Sequence, residues 1–86
     1  MSNRKLRIAR VEWEDSCRPV PEWQWVDDYE APEIVKCVSV GFLIANTPAA
    51  IALAPNLGDV EQDRQQASGI IRIPKSAIRK ITYPCV

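Results

Sequence analysis

The sequence predicts an all-β domain, a small five-stranded and partly open barrel, on three observations. "LRIARVEWED" alternates apolar and polar residues with a period of two; "IVKCVSVGFLIA" is a long β-branched run; and "SGIIRIPKSAIRKITY" sets two short β-branched runs around "PKSA". At 86 residues, 47% hydrophobic and 26% charged, the chain has room for one domain and a modest core. The expected organisation is a single domain over 1–86, with residues 1–5 as a flexible basic tail.

The first strand places Ala9, Val11 and Trp13 on one face and Arg10, Glu12 and Glu14 on the other, and ends near Asp15. "SCRPVPEWQWVDDYEAPE" carries three prolines and many acids among its aromatics, which predicts a long loop rather than regular structure. A brief extended piece is expected around Trp23 and Trp25. In the second strand Ile34, Val38, Val40, Phe42 and Ile44 face one way, and Val35, Cys37, Ser39, Gly41, Leu43 and Ala45 the other. Both faces lean apolar, so this strand is expected to be central and covered twice, or to bend sharply at Gly41.

"NTPA" reads as a hairpin turn into "AAIALA", which Pro55 stops. Residues 56–67 offer only Leu57, Val60 and Ala67 as apolar anchors; a mobile loop is expected, with a short polar helix from Asp59 as the alternative. Gly69 then starts a strand with Ile71 and Ile73 inward. Pro74 ends its pairing, Lys75, Ser76 and Ala77 fit one tight helical turn, and the last strand resumes at Ile78 with Ile81 and Tyr83 inward. A strand, one turn and a strand in so short a stretch force a near-right-angle corner. Five short strands, a long loop after the first and this corner before the last are the connectivity of an SH3-like or Sm-like barrel; a plain sandwich or an OB-like barrel is the alternative.

The formal net charge is zero, yet the charges are segregated. Arg4, Lys5, Arg7 and Arg10 open the chain, eight carboxylates against Arg18 fill residues 12–33, and Arg72, Lys75, Arg79 and Lys80 lie near the end. Cys17, Cys37 and Cys85 show no CxxC spacing and there is no histidine, so neither a zinc site nor a disulfide framework is expected. Cys37 reads as a small buried hydrophobe and Cys85 as an exposed thiol. The acids Glu12, Glu14, Asp15, Asp27, Asp28 and Glu30 lack Ca²⁺-loop spacing and read as a solvated face. Without histidine, a glycine-rich phosphate loop or a base beside Ser16 or Cys17, no enzyme and no cofactor are expected. No run is long enough to cross a membrane and the first residues lack the apolar stretch of an export signal, so a cytoplasmic protein is expected.

The pieces "VEWEDSC", "VKCVSVGFLI", "LAPNL" and "SGIIRIPKSAIRKI" together resemble a group of small phage and prophage proteins of unassigned role, over most of residues 11–81. The shared features are a Trp-x-Asp-Ser start, a Ser-Val-Gly strand and an Ile-Pro-x-x-x-Ile corner. That corner also resembles the last two strands of Sm-like proteins, which form rings through their edge strands, and Ile70 is expected to point outward at such an edge. Small phage barrels of this type include sponges that sequester the nucleotide signals of bacterial immunity.

The resemblance therefore implies an anti-defence homo-oligomer in the host cytoplasm that captures a small anionic nucleotide. Its phosphates would meet Arg72, Lys75 and Arg79 with the Ser76 hydroxyl, and its base would stack on Trp23 or Trp25; Arg64 is a weaker candidate. Against this stand blander roles: Trp13 in the core, Trp23 and Trp25 folding the loop over an open barrel end, and the cations as a solvated edge. The alternative function is a small regulator or inhibitor that binds nucleic acid or a host protein; a purely structural phage part is the third.

Overall fold

The computed structural model describes residues 5–16, 21–30 and 33–84, so the expected tail up to Arg4, together with Cys17, Arg18 and Cys85, lies outside the described residues. Seven strands run β1 Ile8–Asp15, β2 Val35–Asn46, β3 Ala50–Ala54, β4 Asn56–Gly58, β5 Gln66–Ser68, β6 Ile71–Pro74 and β7 Ile78–Thr82, with single 3-10 turns at Val26–Asp28 and Lys75–Ala77. Five form an antiparallel sheet in the order β6-β3-β2-β1-β7, and β4 pairs with β5 in a second, two-stranded sheet. The edge strands β6 and β7 do not pair with each other, which leaves a small, partly open barrel as the sequence predicts.

Alternation decides the core. Ala9 and Val11 of β1, Ile51 and Leu53 of β3 and Ile73 of β6 are fully buried, and Trp13, Leu43, Ile71, Ala77, Ile78 and Ile81 pack around them. Trp13 satisfies its one polar atom inside this layer by donating Nε1–H to Ser39 Oγ at 3.0 Å. Thr47 closes the β2–β3 hairpin: its N–H donates to the Ala50 carbonyl at 2.9 Å and its hydroxyl accepts the Ala50 N–H at 3.1 Å. Pro48 then supplies the preset φ of a turn's second residue.

β2 is central, but it is not covered twice. Its inward residues Cys37, Ser39, Gly41 and Leu43 face the core, whereas Val38 and Val40 are 55% and 57% exposed. The expected irregularity also sits elsewhere: β2 carries one extra residue, Ile44, between its pairings Leu43↔Leu53 and Ala45↔Ala52. Gly41 is needed for a different reason. A Cβ there would lie 2.9 Å from the Ala54 carbonyl oxygen, so only a missing side chain lets β3 cross this close.

Residues 56–67 are neither a loop nor a helix throughout. Their pairing, Asn56↔Ser68 to Gly58↔Gln66, continues the register of Ala50↔Pro74 to Leu53↔Ile71, so β3–β4 and β5–β6 are one long hairpin interrupted in its middle. Pro55 causes the interruption because it offers no N–H, and Gly69 stands opposite it at φ +75°. A Cβ on Gly69 would meet the Pro55 ring at 3.1 Å. β6 accordingly begins at Ile71 and not at Gly69. At the tip Asp59 takes φ 53°, a conformation that Asp tolerates, and its carboxylate accepts from Gln66 Nε2 at 2.5 Å.

Tyr83 also departs from expectation: it lies beyond β7, partly exposed, with the Arg7 guanidinium 3.7 Å above its ring.

Two substitutions test this frame by urea or thermal unfolding. Gly41→Ala is expected to cost about 1–3 kcal/mol, because the Ala54 backbone must move. Gly58→Ala meets its nearest atom, a side-chain carbon of Gln66, at 3.9 Å and should be near neutral. Equal effects would show that Gly41 does not set the β2–β3 approach. Ile73→Ala should cost about 2–5 kcal/mol.

Candidate functional site

The corner forms where the chain can no longer pair. Pro74 still faces Ala50 across the sheet, but the next N–H, that of Lys75, donates to the Ala49 carbonyl at 2.9 Å and fastens the turn to the β2–β3 hairpin. The 3-10 turn closes with the Ile78 N–H on the Lys75 carbonyl. Ala77 and Ile78 then pack on the core, so the corner is rigidly placed.

Of the four candidate polar residues there, Arg72 and Ser76 are exposed, and Lys75 is half-buried. Arg79 is already engaged. It is the extra residue of a bulge in the pairing of β7 with β1, between Lys80↔Glu12 and Ile78↔Trp13. Its Nε donates to Glu14 Oε1, and its Nη1 donates to the Ser76 carbonyl at 3.0 Å and the Ile78 carbonyl at 3.3 Å. A guanidinium with these three acceptors braces the corner. The pair Arg10–Glu12, at 2.8 Å, neutralises the neighbouring position of β1.

The segment 21–30 is exposed at every residue. Its only regular feature is the 3-10 turn, held by the Asp28 N–H on the Trp25 carbonyl at 3.1 Å and the Tyr29 N–H on the Val26 carbonyl at 3.3 Å. Trp25 has extended dihedrals but no strand partner, so the brief extended piece is a single unpaired stretch. Trp23 is 101% exposed and Trp25 82%. Neither indole folds over the barrel end. The segment's four acids, Glu22, Asp27, Asp28 and Glu30, with no cation among residues 21–30, favour water over an apolar rim.

No hydrogen bond or ion pair among the described residues joins this segment to the corner 72–79. One chain therefore offers two separate surfaces, one aromatic and acidic, the other basic. Arg64 lies in the exposed tip between β4 and β5, remote in register from the corner. Cys37 is a half-buried free thiol that donates to the Val35 carbonyl at 3.6 Å, and among the described residues no three acids or cysteines gather as metal ligands. No helix of the described residues is long and apolar enough to cross a membrane.

Sequence reading missed the bracing role of Arg79 and its partner Glu14, because a bulge that re-aims one side chain leaves no mark in a period-two pattern. Comparison with protein-family models, curated proteins and solved structures found no match.

Tryptophan fluorescence distinguishes the three indoles. In the Trp23→Phe/Trp25→Phe double variant, the remaining Trp13 emission is expected to be blue-shifted and poorly quenched by acrylamide, while the wild type is red-shifted and readily quenched. Equal quenching of the two proteins would contradict the placement of Trp23 and Trp25 in solvent.

Proposed function

We propose that this protein is a non-catalytic binding module whose capture element is the segment 21–30. Its partner is a protein that presents an apolar cleft rimmed by basic side chains. The observation that carries the reading is the pair of fully presented indoles, Trp23 and Trp25, joined by Val26 at 88% exposure and Tyr29 at 47%. The few residues that dominate the energy of protein interfaces are enriched in tryptophan and tyrosine seated in desolvated pockets. The surrounding Glu22, Asp27, Asp28 and Glu30 form a negative rim that steers basic partners and repels phosphate-rich ligands.

A second reading, capture of a small anionic nucleotide by a phage-type homo-oligomer, is favoured by one feature. Arg72, on β6, and Lys75, beside Ser76 on the braced turn, have no carboxylate partner among the described residues. In that reading a base would stack on Trp23 or Trp25 of a neighbouring copy, since these indoles do not reach their own corner.

One comparison separates the two. Immobilised wild type, Trp23→Ala/Trp25→Ala and Arg72→Ala/Lys75→Ala proteins are exposed to a bacterial extract, and each is melted with a panel of cyclic nucleotides. Retained protein that is lost only from the tryptophan variant, with no melting shift from any nucleotide, supports the protein-binding reading. A nucleotide that raises Tm for the wild type but not for the Arg72/Lys75 variant establishes the second reading instead.

A further inference from the structure

β2 has an open side that its own chain leaves unfilled. Its pairing with β1 runs without a break from Asp15↔Val35 to Ile8↔Phe42, but β3 joins it only from Phe42 onward. The continuation of β3 would have covered the first half of β2; Pro55 turns it away into the separate β4–β5 sheet. The direction of the free groups follows from one bond. Leu43 donates its N–H to the Arg7 carbonyl at 2.8 Å, so the odd-numbered residues of this half of β2 turn their backbone groups to β1. Lys36, Val38 and Val40 therefore turn both N–H and C=O toward a side that no strand among the described residues pairs. Their side chains lie on the outer face beside exposed Ile34, and the edge has neither proline nor more than one charge to protect it.

We infer that a second copy of this chain pairs antiparallel with this edge, about a two-fold axis at Cys37. The register follows from matching the exposed apolar residues, with charge in support although Glu12 already pairs with Arg10. With the axis at Cys37, Lys36 lies across from Val38 of the second copy, and the next residue beyond that Val38, on β1, is Glu12. With the axis one residue later, Lys36 would face Val40 and, beyond it, Arg10. The first arrangement also sets Val40 against Ile34 and lets the Lys36 stem cover Val38, so the exposed apolar residues of both copies are used. Ile34, Lys36, Val38 and Val40 then exchange backbone hydrogen bonds across the axis. Zero formal net charge raises no long-range repulsion between copies. This contact is distinct from an Sm-type pairing through β6 and β7.

Sedimentation and cross-linking test the inference. The wild type is expected to be a dimer at about 100 µM, and Val38→Lys, which opposes Lys36 of the second copy, should weaken it by about tenfold or more while the far-UV spectrum is unchanged and Tm loses its dependence on protein concentration. Adding Lys36→Glu to that variant should restore the dimer. In a Cys17→Ser/Cys85→Ser background, diamide should link two copies through Cys37, because a pair that is not hydrogen-bonded at the axis holds its Cα atoms about 4.5 Å apart, within disulfide range. A monomer at that concentration overturns the inference. So does a dimer indifferent to Val38→Lys but lost on Ile70→Lys, or a failure of both rescue and cross-link.

Discussion

The close passage of β3 over Gly41 is the constraint on which the rest of the structure depends. β2 must serve two neighbours in succession: β1 along its first half and throughout its core-facing length, and β3 only from Phe42. The handover requires the Ala54 backbone to lie where any side chain at position 41 would collide with it. Ala54 itself is fully buried, and the extra residue at Ile44 re-aims the end of β2 toward the hairpin turn. The sheet thereby curls without a long connection, and six small or branched residues suffice as a fully buried core in a chain of 86.

Two prolines then divide what curls from what projects. Pro55, opposite Gly69, separates the β4–β5 hairpin from the barrel while keeping its register. Pro74 ends β6 and hands the chain to the turn that Lys75 fastens to Ala49. Arg79 locks the far side of that turn onto Glu14, so two residues that a charge count would place in a basic patch and an acidic run neutralise each other. The exposed pair is worth little in stability, in the range of about 0–1 kcal/mol; its effect is to orient the Arg79 guanidinium against the turn. The aromatic segment is exposed throughout, and the described chain has a radius of gyration of 17.3 Å where a compact one of this length has about 12 Å.

Much of this was legible before any coordinates. Ala9, Val11 and Trp13 declare β1 by strict alternation, "NTPA" declares the hairpin by its turn chemistry, and "IPKSAI" declares the corner because proline and a three-residue helical turn leave no other course. The β4–β5 hairpin was not legible: Asn56–Gly58 and Gln66–Ser68 are three residues each and have no apolar rhythm to detect. Their pairing is set by the register inherited from β3 and β6. Of the two roles open to Trp23 and Trp25, the one that folds the loop over the barrel end fails for a related reason. Burial of a loop aromatic depends on what stands opposite it in space, and the acids around Trp23 and Trp25 gave the better clue than their size. The same holds for Val38 and Val40, whose apolar character suggests a cover on the outer face of β2 that no described residue provides.

The cation–aromatic contact between Arg7 and Tyr83 brings the first and last described segments side by side, at 3.7 Å. The start of β1 and the end of β7 therefore lie at one edge of the barrel. A covalent link between these two positions, with the chain opened elsewhere, is a geometrically modest rearrangement.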